Sequence, residues 1–448
     1  MGDRFAEIER ACREIEKRGI RVKRTSSLWE TAPMYVIDQD RFVNGACEVE
    51  THLGPMELLD ALQDIENTMG RHKVIDKGPR NIDLDILLYG DQKIHNDRLN
   101  VPHIGIRERE FVLRPLAELI PDKPLYPEKP WMLVQDYLNK LPLDKNLSPL
   151  IPLSPTMEPI SSFKATRRTH VMGILNVTPD SFSDGGVNTR SSLPARISSA
   201  IASGATILDV GGQSTAPGTP EVTTDEEIAR VLPAIHAIRS LPEGKSVAIS
   251  IDTYRAAVAK AAVKAGADII NDVSAGQMDP EMLHTMAQLE CTVCLMHMRG
   301  TPATMQGMTD YTASDGVVGG VASELVARVR AAEKAGIRRW RIILDPGLGF
   351  AKTPRQNIRL LGALNELRSW PGLVGLPWLV GASRKGFVGR ATGVKHPAER
   401  IWGTAATVAA AIQGGADIVR VHDVKQMAQV ARMADWIWRL VDSKKEKI

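Results

Sequence analysis

From position 170 onward the chain alternates between two periods. Short, mainly apolar runs recur at 170–175, 206–210, 247–251, 268–270, 291–296, 341–344, 378–380 and 417–421, and helix-length amphipathic stretches lie between them. A strand that is apolar on both faces belongs in a parallel sheet covered by helices. Eight such strand–helix units predict a (β/α)8 TIM barrel, a fold that takes about 250 residues. Polar side chains close these runs: Asn176, Asp209, Asp252, Asn271, His297, Asp345, Lys385, and the pair Arg420 and His422. In such a barrel the strand ends share one rim, so the fold gathers these groups whatever their separation along the chain.

The first 141 residues follow a different pattern. A helix is predicted over 4–18, with Phe5, Ile8, Cys12 and Ile15 on one face and Gly19 as its stop. Strands are expected around 21–29 and 42–50. A second helix begins at Pro55, turns Leu58, Leu59, Leu62, Ile65 and Met69 inward and closes at Gly70, and a third strand covers 83–89. The order is helix, strand, strand, helix, strand, an α+β ferredoxin-like plan lacking its first strand. Pro142, Pro149, Pro152, Pro155 and Pro159, set among serines, predict a semi-extended linker. The expected domains are therefore 1–141, a linker over 142–168, and a barrel over 169–448.

Composition narrows the partners. The 448 residues are 43% hydrophobic with a net charge of +3, which gives no ground for a nucleic-acid or membrane-surface partner. No apolar run is long enough to span a bilayer and nothing at Met1 resembles a secretory signal, so a cytoplasmic or mitochondrial location is expected. Four cysteines do not make a disulfide framework. Cys291 and Cys294 have C-x-x-C spacing, but on a strand positions i and i+3 face opposite sides, which favours packing over redox or metal chemistry.

In the first domain Asp83 and Asp85 stand at i and i+2 and share a face. That geometry suits two carboxylates that share Mg²⁺ with the phosphates of a nucleotide. Arg71, Lys73, Arg80, Arg98, His103 and Arg109 add donors enough for a triphosphate. On spacing alone, a solvated basic loop beside a capping aspartate pair fits equally well. The segments Arg80-Asn81-Ile82-Asp83-Leu84-Asp85, Leu99-Asn100-Val101-Pro102-His103 and Arg109-Glu110-Phe111 resemble the signature of the hydroxymethyldihydropterin pyrophosphokinases. The resemblance implies that Asp83 and Asp85 hold Mg²⁺ and that Arg71, Lys73, Arg80, Arg98, His103 and Arg109 contact ATP. Gln63 and Glu66 would line the ATP site, and Asn44 and Phe111 would hold the pterin. Lys77 and Lys73 stand where some members carry tryptophan and arginine. Met1-Gly2-Asp3 matches only the end of the family's Gly-Ser-Asn-x-Gly-Asp opening, so the reading favours a fragment without that strand, and in fungi an aldolase domain would precede it. A degraded first domain kept as a scaffold is the competing reading.

On the barrel rim, Asp252, Asn271 and Asp345 suit the amino and ring N–H edge of a 2-amino-4-oxo heterocycle, with Lys385 for its carbonyl. Arg420 can lie against a π face, and Met296 and Phe350 add apolar walls. Asn176, Thr215, Arg420 and His422 form a second cluster suited to an anion. The blocks 175–186, 209–218, 251–253, 271–273, 345–352, 383–385 and 420–423 are similar to those of the dihydropteroate synthases. That family joins p-aminobenzoate to dihydropterin hydroxymethyl pyrophosphate and releases pyrophosphate. The resemblance places Asn176 on Mg²⁺, Arg420 and His422 on the leaving group, and Asp252, Asn271, Asp345 and Lys385 on the pterin. Asp180, Phe182, Thr215 and Pro217 would form the p-aminobenzoate pocket. It also implies a homodimer through the late helices, with Ala428, Met433, Trp436 and Trp438 as candidates. Gln213 and Ala216 replace the usual glutamate and arginine, and Gly386 stands where some members carry serine. Weaker p-aminobenzoate affinity is expected, with Arg384 or a helix N-terminus partly replacing the arginine. A pterin-dependent methyltransferase barrel shares the fold and is the rival reading.

Overall fold

The computed structural model describes residues 3–31, 41–70, 82–144, 146–177, 193–213 and 221–439. The chain divides into two compact units, Met1–Leu150 with Arg338–Trp340, and Ile151–Ile337 with Arg341–Ile448.

In the first unit, helix Arg4–Lys17 is capped by Asp3, whose carboxylate accepts from the Phe5 and Ala6 amides at 2.9 and 3.2 Å. Helix Pro55–Thr68 starts on its proline, and Glu57 accepts from the Gly54 amide at 2.8 Å. Ala11 and Ile15 pack with Leu58, Leu62 and Ile65 in one core. The two expected strands are each broken in two. Arg21–Thr25 pairs antiparallel with Cys47–Glu50, and Leu28–Thr31 pairs with Phe42–Asn44. The strand expected over 83–89 does not form a ladder. Its side chains still alternate, with Asp83 and Asp85 exposed and Ile86 buried. Its backbone groups are satisfied elsewhere: the Leu84 amide donates to Glu66 Oε1 at 2.8 Å, and the Leu87 carbonyl accepts from the His103 amide at 3.0 Å.

In the second unit, eight parallel strands run in barrel order. They are His170–Asn176, Ile207–Gly211, Ala248–Asp252, Ile269–Asp272, Thr292–Met296, Ile342–Asp345, Leu379–Val380 and Ile418–Val421. A parallel bridge between Leu344 and Trp378 closes the ring. Each strand sends one apolar side chain into the floor of the barrel: Met172, Ile207, Ala248, Ile269, Cys294, Ile343, Leu379 and Ile418. Ile151, Leu153 and Ile160, drawn from the stretch read as a linker, pack against that floor. These three residues and the short strands Ser148–Ile151 and Ile160–Ser161 give the stretch fixed structure. Cys294 is fully buried there and Cys291 is half-buried; both are free thiols, raised by burial, Cys291 to about 12. With the chemistry concentrated at the other ends of the strands, the floor is packing alone.

Candidate active site

Strand register sets the first row of the site. Asn176 lies opposite Gly211, Gly211 opposite Asp252, and Asp252 opposite Asn271, so four neighbouring strands present one layer. Gly211 leaves the layer open: a methyl group there would stand 3.4 Å from Asn176 Oδ1 and 3.7 Å from Asp252 Cβ.

Arg420 ties this row together from the last strand. Its Nε donates to Asp209 Oδ2 and its Nη2 to Asp252 Oδ2, both at 2.6 Å. Asp209 is fully buried and also accepts from Asn271 Nδ2 at 3.3 Å, which turns the Asn271 carbonyl oxygen away from it. Burial pushes the Asp252 carboxyl up; Arg420 draws it down again, and the neighbouring Asp209 charge pushes it up. Burial opposes the charge on Arg420, yet Asp209 and Asp252 outweigh it and hold the guanidinium well above its ordinary value.

The opposite wall is the loop after strand Ile342–Asp345. Burial raises the Asp345 carboxyl, opposed by Lys385 and by the Gly347 amide, which donates to its Oδ1 at 2.7 Å. Lys385 Nζ donates to the Leu348 carbonyl and lies 4.7 Å from the centre of the Phe350 ring. Burial pushes Lys385 down to about 8, with Asp345 acting against it. Two glycines make this wall possible. A methyl on Gly347 would fall 1.9 Å from the His297 carbonyl oxygen, and one on Gly349 would fall 2.9 Å from Lys385 Cδ; both residues have left-handed φ, +67° and +85°.

His422 Nδ1 sits 3.0 Å from Ser383 Oγ. Arg384, expected to replace the missing arginine, instead pairs with Asp423 through both Nη2 and Nε, at 2.6 and 3.1 Å. That pairing engages two arms of its planar fork and leaves Nη1. Gln213 bridges two neighbours, donating to the Tyr254 hydroxyl at 3.2 Å and accepting from Arg255 at 2.8 Å. Met296 is buried next to Met298 and Phe350. A cavity of about 550 Å³ opens beside His297, between Gln277, Arg299, Asp310, Glu324 and Arg328. Of the strand-end residues, His297 lines it, and Asn176, Asp252 and Asn271 do not.

In the first unit, Asp83 and Asp85 project together to solvent. Glu66, expected at an ATP site, is instead buried, with Oε1 taking the Leu84 amide between the two aspartates. It staples that segment to helix Pro55–Thr68. Arg98 pairs with Asp60 and reaches Gln63 Oε1 at 3.4 Å. His103 Nδ1 accepts from the Gly105 amide at 3.2 Å, Arg109 stands 5.8 Å over the Phe111 ring, and Asn44 Nδ2 donates to Thr31 Oγ1 at 3.0 Å. Among the described residues, no three His, Cys, Asp or Glu converge tightly enough to hold a metal by themselves. Arg71, Lys73, Lys77, Arg80, Asp180, Phe182, Thr215, Ala216 and Pro217 lie outside the described residues.

Lys352 and Asn357 carry structural weight that their place in the sequence does not assign them, and Asp209, expected on the rim, is buried there beneath Arg420. The available signal for Lys352 was a lysine closing the glycine-rich run that begins at Asp345.

Residues 172–422 match the family model described as pterin binding enzyme, and residues 1–121 match that of 7,8-dihydro-6-hydroxymethylpterin-pyrophosphokinase. The chain is 49% identical over 443 residues to the folic acid synthesis protein fol1 of Schizosaccharomyces pombe, a match that covers 98% of this chain and 58% of that protein. It is 40% identical over 473 residues to the mitochondrial folate synthesis bifunctional protein of Arabidopsis thaliana, covering 99% of this chain and 82% of that one. The barrel is similar to the dihydropteroate synthase of Xanthomonas albilineans with 4-aminobenzoic acid. There the TM-score is 0.57 at 37% identity, over 65% of this chain and 98% of the other. The chain thus spans less than two thirds of the length of the fungal relative.

Proposed function

Since this chain belongs to the pterin-binding enzyme family, in the fused form that also carries a hydroxymethylpterin pyrophosphokinase domain, we propose that it performs two consecutive steps of folate synthesis. The first domain transfers pyrophosphate from ATP to 6-hydroxymethyldihydropterin. The barrel then joins the product to p-aminobenzoate and releases pyrophosphate. The observation that carries this reading is the row Asn176, Asp252 and Asn271, faced by Asp345 and Lys385 and bound together by Arg420.

In the barrel, Asp252, Asn271 and Asp345 hold the amino and N–H edge of the pterin, and Lys385 donates to its carbonyl. Met296 and Phe350 wall the ring. Two arms of Arg420 are taken by carboxylates, which leaves Nη1 for the departing pyrophosphate, with His422 beside it. The bond from the methylene carbon to the pyrophosphate oxygen breaks, and the electron pair leaves with the oxygen. The carboxylates around the pterin stabilise the methylene cation that remains. The p-aminobenzoate nitrogen then forms the new C–N bond and loses a proton; an aniline needs no dedicated base for this. Asp180, Phe182, Thr215 and Pro217 complete the p-aminobenzoate pocket and exclude water, which would otherwise capture the cation. Asn176 in the barrel, and Asp83 and Asp85 in the first domain, offer the oxygen donors that Mg²⁺ prefers. Mg²⁺ supplies neutralisation of phosphate charge when bound. Phe111 and Asn44 hold the pterin of the first domain, and Gln63, Arg71, Lys73, Arg80, Arg98, His103 and Arg109 surround ATP.

Trp402, Met433, Trp436, Ile437 and Trp438 are exposed on helices Ile401–Gln413 and Val424–Trp438, which supports a homodimer through this face. Ala428, expected there, is buried within the unit. No helix among the described residues is long and apolar enough to cross a membrane.

Incorporation of labelled p-aminobenzoate in the presence of the pterin pyrophosphate tests the reading; methyl transfer that requires a corrinoid, without incorporation, would replace it. A pH profile adds detail. Lys385, drawn down to about 8, is a cation below that pH and loses its charge above it. The kcat/KM for the pterin pyrophosphate is expected to fall above about pH 8, and Lys385→Arg, which stays charged, should remove that alkaline limb.

A further inference from the structure

We propose that Lys352 and Asn357 are positioning residues, which hold the loop after Asp345 in the one shape that seats Lys385 and Phe350 against the pterin. The inference rests on the functional reading above.

Lys352 is buried, and its Nζ lies 2.9 Å from each of three partners: the carbonyl oxygens of Gly347 and Phe350, and His297 Nδ1. The loop is therefore wrapped around one amino group. Burial draws Lys352 down to about 7. Both carbonyl contacts survive either protonation state, because a neutral amine still carries two N–H donors. His297 is itself anchored, with Nε2 2.9 Å from Glu324 Oε2. Asn357, buried on helix Pro354–Gly362, works from the other side. Its Oδ1 accepts from the Gly349 amide at 2.6 Å, and its Nδ2 donates to the Lys352 and Thr353 carbonyls at 3.2 and 2.9 Å.

The loop needs such a clamp. Gly347, Gly349 and Ala351 have φ of +67°, +85° and +48°, and a side-chain-bearing residue such as Ala351 holds that conformation only where its surroundings impose it. What the clamp fixes is the pterin wall itself: the Leu348 carbonyl that receives Lys385, the Phe350 ring beneath Nζ, and the Gly347 amide that orients Asp345. Neither clamp residue has a donor left for the substrate, so their effect is indirect.

The test uses the full chain with Lys352→Met and Asn357→Leu, which keep the volume and remove the donors. Steady-state kinetics give KM for each barrel substrate, and calorimetric titration with 6-hydroxymethylpterin gives a Kd that needs no turnover. Each variant is expected to weaken pterin binding and raise the pterin KM by about tenfold to a hundredfold, with the p-aminobenzoate KM within about twofold of wild type. Ile238→Ala, on the buried face of helix Thr224–Ser240, serves as a destabilised control and is expected to keep the wild-type pterin Kd. Wild-type pterin affinity in the variants, or an equal loss in the control, overturns the proposal. If Lys352→Met does not fold, Asn357→Leu decides it by the same criterion. A wild-type chain that forms no dihydropteroate would instead count against the functional reading.

Discussion

Replacing Arg420 with methionine is expected to abolish dihydropteroate formation and to destabilise the barrel in the same stroke. Asp209 is fully buried and the Asp252 side chain is 12% exposed, and both accept through Oδ2 from this guanidinium at 2.6 Å. Removing one partner of a buried ion pair leaves uncompensated charge and costs about 3–5 kcal/mol. For a unit of this size that is on the order of 10 °C in the melting midpoint. Burial already pushes Asp252 towards protonation, and without Arg420 it would take up a proton near neutral pH, which limits the penalty to the lower part of that range. Activity has no such relief, because the cation facing the leaving group is gone; a loss of about a thousandfold or more in kcat/KM is expected. Adding Asp209→Asn to Arg420→Met should restore part of the stability and none of the activity. Melting curves and synthase kinetics on the two variants check this, and a single variant as stable as wild type would mean that the pair is not carrying the rim.

The second large effect separates the two halves. Asp83→Ala with Asp85→Ala should abolish ATP-dependent pyrophosphorylation, by about a thousandfold or more, because no other carboxylate pair in that segment can share a metal with the phosphates. Both side chains are exposed, so the melting midpoint should change little. Dihydropteroate formation from the ready-made pterin pyrophosphate should stay within about twofold of wild type. Loss of both activities together would contradict separate active sites.

The barrel was legible because its strands are largely buried on both faces, so each appears as a mainly apolar run, and the strand boundaries fall within one or two residues of those runs. The polar residues at the ends of these runs are placed on one rim by the fold, which gathers the candidate set without any contact being known. Residues 83–89 show where such reading stops. Their alternation is strand-like and survives, yet a strand also needs a partner, and Glu66 and His103 satisfy the backbone instead. Proline spacing over 142–168 concealed three apolar side chains that fill the barrel floor. Lys352 and Lys385 are alike in sequence, two lysines near the rim. Only the tertiary arrangement separates the one turned inward onto two carbonyls from the one facing the pocket. Arg384 and Arg420 pose the same problem: each engages carboxylates through Nε and Nη2, Arg384 the one of Asp423 and Arg420 the two of Asp209 and Asp252.

The most direct test of the account gives the chain 6-hydroxymethyldihydropterin, ATP, Mg²⁺ and labelled p-aminobenzoate in one vessel and measures labelled dihydropteroate. Two consecutive active sites on one chain predict product that depends on ATP, disappears with Asp83→Ala and Asp85→Ala, and returns when the pterin pyrophosphate is supplied. Failure to form dihydropteroate even from the pyrophosphate would contradict the assignment of the barrel rim, and with it the central claim.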